Sequence, residues 1–160
     1  MKDSTFKTYN NVYNQMFKTK QQYLALALAF DAEYLHGFHD FAMNESRERW
    51  DYSEMIREHV ALFRRKIHIT DLPAPVQDFP EMSPKQVLEI GLKYDNAVLS
   101  AINTAIEAVE TGEITFMTKL RDIMQYQVNE VHDCIAKLGF QGGDLYTVDE
   151  ALITKFGGYD

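Results

Sequence analysis

Residues 45–58 read ESRERWDYSEMIRE. Placed on a helix at about 100° per residue, this stretch shares one apolar stripe with its flanks: Phe38, Phe41, Ala42, Ile56, Val60 and Phe63. Glu45, Arg49 and Tyr52 fall inside that stripe, and Glu48 and Asp51 lie on one side of it. Charges in the middle of a buried face need partners, because unpaired burial costs several kcal/mol. The helix therefore either meets opposite charges inside a bundle or builds a site there.

The same periodicity, carried outward, predicts an all-α chain. A first helix, α1, is expected over about 4–30, with Tyr9, Val12, Met16, Tyr23, Ala27 and Phe30 on one face and no Pro or Gly within it. A short turn around Tyr34-Leu35-His36-Gly37 returns the chain antiparallel as α2, over about 38–65. All four prolines fall between Pro73 and Pro84. Roughly 17 residues of such coil, at about 3.3 Å each, reach about 55 Å, more than the roughly 42 Å of a 28-residue helix. The connection can cross the whole bundle and make α3, over about 84–110, parallel to α2. Ser83, Pro84 and Gln86 form a capping box at its start. A break at Thr111-Gly112 precedes α4, over about 113–138, which Gly139 closes as a C′ residue. A Gly142-Gly143 turn leads to a short α5 over about 148–156. The expected architecture is an all-α four-helix bundle with a long crossover and a fifth C-terminal helix, in a single domain over 1–160.

Composition narrows the function. Twenty-four acids against 16 Lys and Arg leave a net charge of -8, with no basic run, which argues against nucleic-acid binding. Cys134 is the lone cysteine, so neither an intramolecular disulfide nor a Cys-based zinc site is available; a reducing, cytoplasmic setting fits. MKDSTFKTYNN lacks the apolar core of a signal peptide, and no apolar run reaches membrane-spanning length.

Each of three helices carries a polar residue in mid-stripe: Arg49 and Tyr52 on α2, Asp95 on α3, Gln127 on α4. They lie near the helix midpoints and so should be level. Di-iron sites are built at this place from a Glu on two helices and Glu-x-x-His on the other two. Here α2 reads Arg49-x-x-Tyr52. The plain reading is that Arg49 neutralises a carboxylate, Asp95 or Glu45 one turn away, while Tyr23, Tyr52 and Tyr126 are core rings with bonded hydroxyls. His36 and His39, at the first turn, read as surface histidines. The flank differs. Glu48 and Asp51 on α2 and Glu130 and Asp133 on α4 can face one another across antiparallel helices, with Lys137 the nearest cation. They make either a site for a hard, oxygen-liking cation or a solvated acidic face.

At this point the sequence resembles the bacterial non-haem ferritins over nearly its whole length. The resemblance shows in Phe30-Asp31 with Leu35-His36-Gly37-Phe38, in Asp71-Leu72-Pro73-Ala74-Pro75, in Gln127-Val128-Asn129-Glu130-Val131, and in Gly143-Asp144-Leu145-Tyr146 with Val148-Asp149. It implies a twenty-four-subunit homo-oligomeric cage that takes up Fe(II), oxidises it with oxygen or peroxide and stores ferric mineral. Carried over residue by residue, the usual oxidation site is altered. Its α1 glutamate aligns with Met16, its Glu-x-x-His with Arg49 and Tyr52, its α3 glutamate with Asp95, and its Glu-Gln pair with Tyr126-Gln127, while Tyr23 is kept. Glu48 and Glu130 match carboxylates that hold a further iron near the inner surface, and Asp51 and Glu54 match mineral-nucleating positions. The haem-binding methionine of bacterioferritins would align with Trp50, so no haem is expected. Mini-ferritins that coat DNA lack the fifth helix and carry a helix in the crossover.

Three functions follow. The first is an iron-storage cage whose oxidation or nucleation has moved to the inner-face carboxylates: Glu48, Asp51 and Glu130, with Glu45, Asp133, Asp95 and Gln127 as further metal ligands and Tyr52 and Tyr126 as supporting ligands or electron donors. The second is a catalytically inactive cage subunit giving a nucleating surface, alone or mixed with an active subunit. The third is a structural bundle without metal.

Overall fold

The computed structural model describes residues 1–139 and 144–157. Helix α1 spans Asp3–Ala32, α2 His36–Ala61, α3 Pro84–Ala108, α4 Ile114–Leu138 and α5 Leu145–Phe156, with a 3-10 turn at Thr111–Glu113 before α4. Contacts between levels fix the topology. Tyr9 meets His59 and Tyr23 meets Arg49, so α1 and α2 are antiparallel. Asp95 bonds to Arg49 at mid-helix, Lys2 reaches Glu110 and His59 reaches Glu113; α3 therefore runs parallel to α2 and antiparallel to α1. No helix among the described residues is long and apolar enough to cross a membrane.

The stripes pack as their spacing implies. Tyr9, Val12, Met16, Tyr23, Ala27 and Phe30 are buried, as are Phe38, Phe41, Ala42, Ile56 and Val60. The capping box at Ser83 is present: Gln86 N–H donates to Ser83 Oγ and Ser83 N–H to Gln86 Oε1. Several boundaries differ from expectation. Helix α2 stops at Ala61, not Arg65, because Arg64 adopts φ 57°, a left-handed conformation that ends the helix without a glycine; Phe63, expected in the core, is 41% exposed. Helix α5 starts at Leu145 because the Asp144 side chain accepts from Thr147 N–H. Gly139 closes α4 with φ -90°, right-handed, so its expected C′ role gives way to a plain C-cap. The Gly142-Gly143 turn lies outside the described residues.

The crossover has no secondary structure of its own; α1 supplies its hydrogen bonds. Asn10 Oδ1 and Asn14 Oδ1 accept from His68 N–H and Thr70 N–H, and Asn14 Nδ2 donates to His68 O. The Gln22 amide pairs both ways with the Val76 backbone, at 2.8 and 2.9 Å. These bonds tie the exposed coil to the first helix at three levels. At the opposite end of α2, Asp149 Oδ1 accepts from Phe38 N–H at 3.0 Å, docking α5 on the N-terminus of α2. That approach needs Gly37: a Cβ there would collide with the Asp149 carbonyl oxygen.

Candidate metal centre

The bundle centre holds a guanidinium. Arg49 is fully buried. Its Nε donates to Asp95 Oδ1 at 3.0 Å and its Nη2 to Asp95 Oδ2 at 2.8 Å, a fork-to-fork pair. Nη1 donates to Glu45 Oε2 at 2.8 Å and to the Glu45 carbonyl at 3.2 Å. Tyr23 donates its hydroxyl to Asp95 Oδ2 at 2.5 Å and lays its ring 4.3 Å from the guanidinium carbon. The ring fits because position 91 is glycine; a Cβ there would meet it at 2.7 Å. Burial alone would weaken the hold of Arg49 on its proton, but the fields of Asp95, Tyr23 and Glu45 outweigh it and keep the group charged. Burial raises Tyr23 well above the ordinary phenol range, with Asp95 adding to the effect.

The Arg49–Asp95 pair read from the sequence is thus present, and Glu45 joins it. Asp95 was expected among the metal ligands. Both its oxygens accept hydrogen bonds from Arg49 and Tyr23. Tyr52 and Tyr126 were expected as supporting ligands or electron donors; Tyr52 is buried, whereas Tyr126 is 66% exposed.

What remains lies on the α2–α4 seam. Glu45 keeps one oxygen, Oε1, without a hydrogen-bond partner, and so do Gln127 and Glu130 at Oε1. Burial pushes Glu45 up to about 8; Arg49 opposes this and the field of Glu130 reinforces it. Tyr52, buried beside Glu48 and Gln127, is raised above the phenol range by desolvation and by Glu48. Burial pushes the Cys134 thiol up to about 12, leaving it neutral in the same neighbourhood. Glu48 and Glu130 are half-buried, whereas Asp51 and Asp133 are exposed. The expected four-carboxylate cluster is therefore spread along a face: among the described residues, no three of His, Cys, Asp and Glu are grouped so as to enclose a metal ion. His36 sits 3.5 Å from Asp31, and His39 Nδ1 2.9 Å from the Ala27 carbonyl oxygen.

A second buried polar cluster escaped the sequence reading. Near the opposite end of the bundle, Glu113 Oε2 accepts from the Tyr9 hydroxyl at 2.5 Å and lies 2.6 Å from His59 Nε2. His59 stacks on Phe116, with centroids 3.9 Å apart. Its members come from α1, α2 and the 3-10 turn, so no spacing within one helix reveals them. Counting turns inward from the helix ends would have brought them level.

Comparison with known proteins accounts for the fold. No curated protein matches the sequence. Solved ferritins superimpose on it along nearly their whole length. An engineered closed form of the Archaeoglobus fulgidus ferritin does so with a TM-score of 0.87 at 18% identity, covering 95% of this chain and 96% of that one. A humanized archaeal ferritin gives 0.86 at 17% identity, covering 95% of each chain. The open-pore ferritin of the hyperthermophilic archaeon A. fulgidus gives 0.85 at 18%, covering 95% and 97%. The sequence profile of the ferritin-like domain matches residues 7–139, most of the chain, and the protein belongs to the ferritin family.

Proposed function

We propose that this chain is a non-haem ferritin subunit of the bacterial type, a single domain that assembles into a closed cytoplasmic cage of twenty-four copies and stores iron. In this reading its bundle centre does not oxidise iron, and ferric mineral is nucleated on the α2–α4 face. The observation that carries the reading is the buried Arg49 guanidinium, held by Asp95 and Glu45 where a ferritin of this type would place metal ligands. The residues present do not fit a pair of iron ions: a permanent cation stands among the carboxylates, Met16 is apolar, and no histidine reaches the centre. Iron, as cargo, is left the half-buried Glu48 and Glu130 and the exposed Asp51 and Asp133, an oxygen-only set suited to hard cations. Oxygen ligands favour Fe(III) over Fe(II), so oxidation by oxygen or peroxide there is drawn forward by binding of the product. Family membership supports the cage, and the lone buried Cys134 suits a reducing compartment.

Two measurements test this. Light scattering at neutral pH should show a large closed assembly; a stable monomer or dimer would sink the cage. Stopped-flow absorbance after Fe(II) addition should show slow oxidation that scales with mineral formed, and the Glu48→Ala, Glu130→Ala double variant should assemble yet lose most of its early phase. If that variant oxidises iron as fast as the parent while Asp95→Ala abolishes the activity, the chemistry is in the bundle centre.

A further inference from the structure

The two ends of α2 carry opposite surfaces. Directly after its last turn, the segment 62–69, LFRRKIHI, is largely exposed and is both apolar and positive. Leu62 is 80% and Ile69 64% exposed, and Phe63 stands beside them. Arg64 and Lys66 are exposed and make no ion pair among the described residues, whereas Arg65 bonds back to Asp3 and the Met1 carbonyl. At the other end, where the crossover arrives, a groove of about 780 Å³ lies between the end of α1, the start of α3 and the start of α5. Its floor is apolar, with Phe30, Leu35 and Val87 buried there. Its rim carries Glu33, Asp78 and Glu81, all exposed, and no Lys, Arg or His lines it.

Each end is the complement of the other. Neighbouring exposed apolar side chains mark contact surfaces, and a negative rim over an apolar floor suits a knob that is positive with an apolar body. The chain cannot fill its own groove, because the 26 residues of α2, at about 1.5 Å each, hold the two surfaces roughly 39 Å apart. Arg64 in the knob and Glu81 on the rim both hold left-handed φ, 57° and 58°, a conformation that costs a non-glycine residue energy. We infer that the 62–69 segment of one copy docks in the groove of a second copy, with Arg64 and Lys66 against the rim carboxylates and Leu62 and Phe63 over the apolar floor. As part of a closed cage this contact rests on the assembly reading above; the contact itself does not.

The test is charge exchange, read by sedimentation velocity of the full chain. Arg64→Glu with Lys66→Glu should weaken self-association at least tenfold, and so should Glu33→Lys with Glu81→Lys. All four side chains are exposed, so both double variants should keep the helical circular dichroism of the wild type. The quadruple variant, with the charges exchanged, should regain most of the association, which neither charge set can do unless the two meet. Leu62→Ser, at an exposed position, should weaken association at least threefold and serves if a double variant fails to fold. Association like that of the parent in either folded double variant, or no recovery in the quadruple variant, overturns the inference. If the groove instead receives a cationic segment of another protein, self-association is unchanged in all of them, which also overturns it. The wild type separates the two readings. A closed assembly that both double variants retain removes this inference and leaves the cage standing. A wild type that associates through this contact only into small open oligomers does the reverse, and a monomeric wild type removes both.

Discussion

Two polar clusters interrupt the same hydrophobic core, and they are built on opposite principles. At the centre, Arg49 brings a permanent cation among Asp95, Glu45 and Tyr23. Near the far end, Glu113 is bonded by Tyr9 and His59, and a positive charge exists there only when the imidazole is protonated. The first tolerates complete burial because every charge in it but one oxygen of Glu45 is answered by a fixed opposite group. The second ties three elements with neutral or conditional donors and stays nearer the surface, with His59 18% exposed. The buried polar middle of this bundle is thus held together by a side-chain cation.

The sharpest way to break the contrast is to remove one member of the central pair. Asp95→Ala leaves Arg49 buried without its bidentate partner and should cost roughly 3–5 kcal/mol in urea unfolding of the metal-free protein. Replacing both, as Arg49→Met with Asp95→Leu, should recover most of that loss, since buried pairs often exchange for apolar residues at little cost. An additive double-variant cycle would mean that the two groups do not act as a pair.

A pH series sharpens the comparison further. Glu45 is an acid whose folded pKa is raised from 4.5 to about 8, so between these values the folded state binds a proton that the unfolded state does not. Metal-free stability should therefore fall as pH rises from about 5 to 8, by a few kcal/mol at roughly 1.4 kcal/mol per pKa unit. The Glu45→Gln variant should lose this slope, and a slope equal to that of the wild type would show that Glu45 is not the group responsible. The smallest effect belongs to the other cluster. Glu113→Ala strands the Tyr9 hydroxyl and the His59 ring nitrogen and should cost about 1–3 kcal/mol. If it cost as much as Asp95→Ala, conditional and permanent charges would be equally firm ties.

The helices and their order were legible because their apolar residues recur at helical spacing, and the Arg49–Asp95 pair was legible because both residues lie mid-stripe at matching depth. Other features depended on contacts that no local pattern encodes. Glu113 looks like an ordinary first-turn acid until the 3-10 turn swings it inward onto Tyr9 and His59. Tyr126, one residue from the stripe position Gln127, turns to solvent. The α2 and α4 carboxylates could be assigned to a face, but not to a shared point: Glu48, Asp51, Glu130 and Asp133 differ in exposure, and their separation depends on how far apart α2 and α4 stand. Arg64 stopped α2 early by a backbone conformation that its side chain does not advertise.

The pairing of the crossover with α1 also gives that long connection a guided course. Closing a long unstructured loop is entropically costly, and contacts distant in sequence form late unless something local guides them. The α1–α2 hairpin can form from neighbouring residues alone. Once it exists, Asn10, Asn14 and Gln22 present ordered amides to which His68, Thr70 and Val76 attach in sequence order. The chain is then led along the outside of the hairpin and released at the end where Ser83 starts α3. The first helix thus serves as a track along which the coil between the two halves of the molecule is laid.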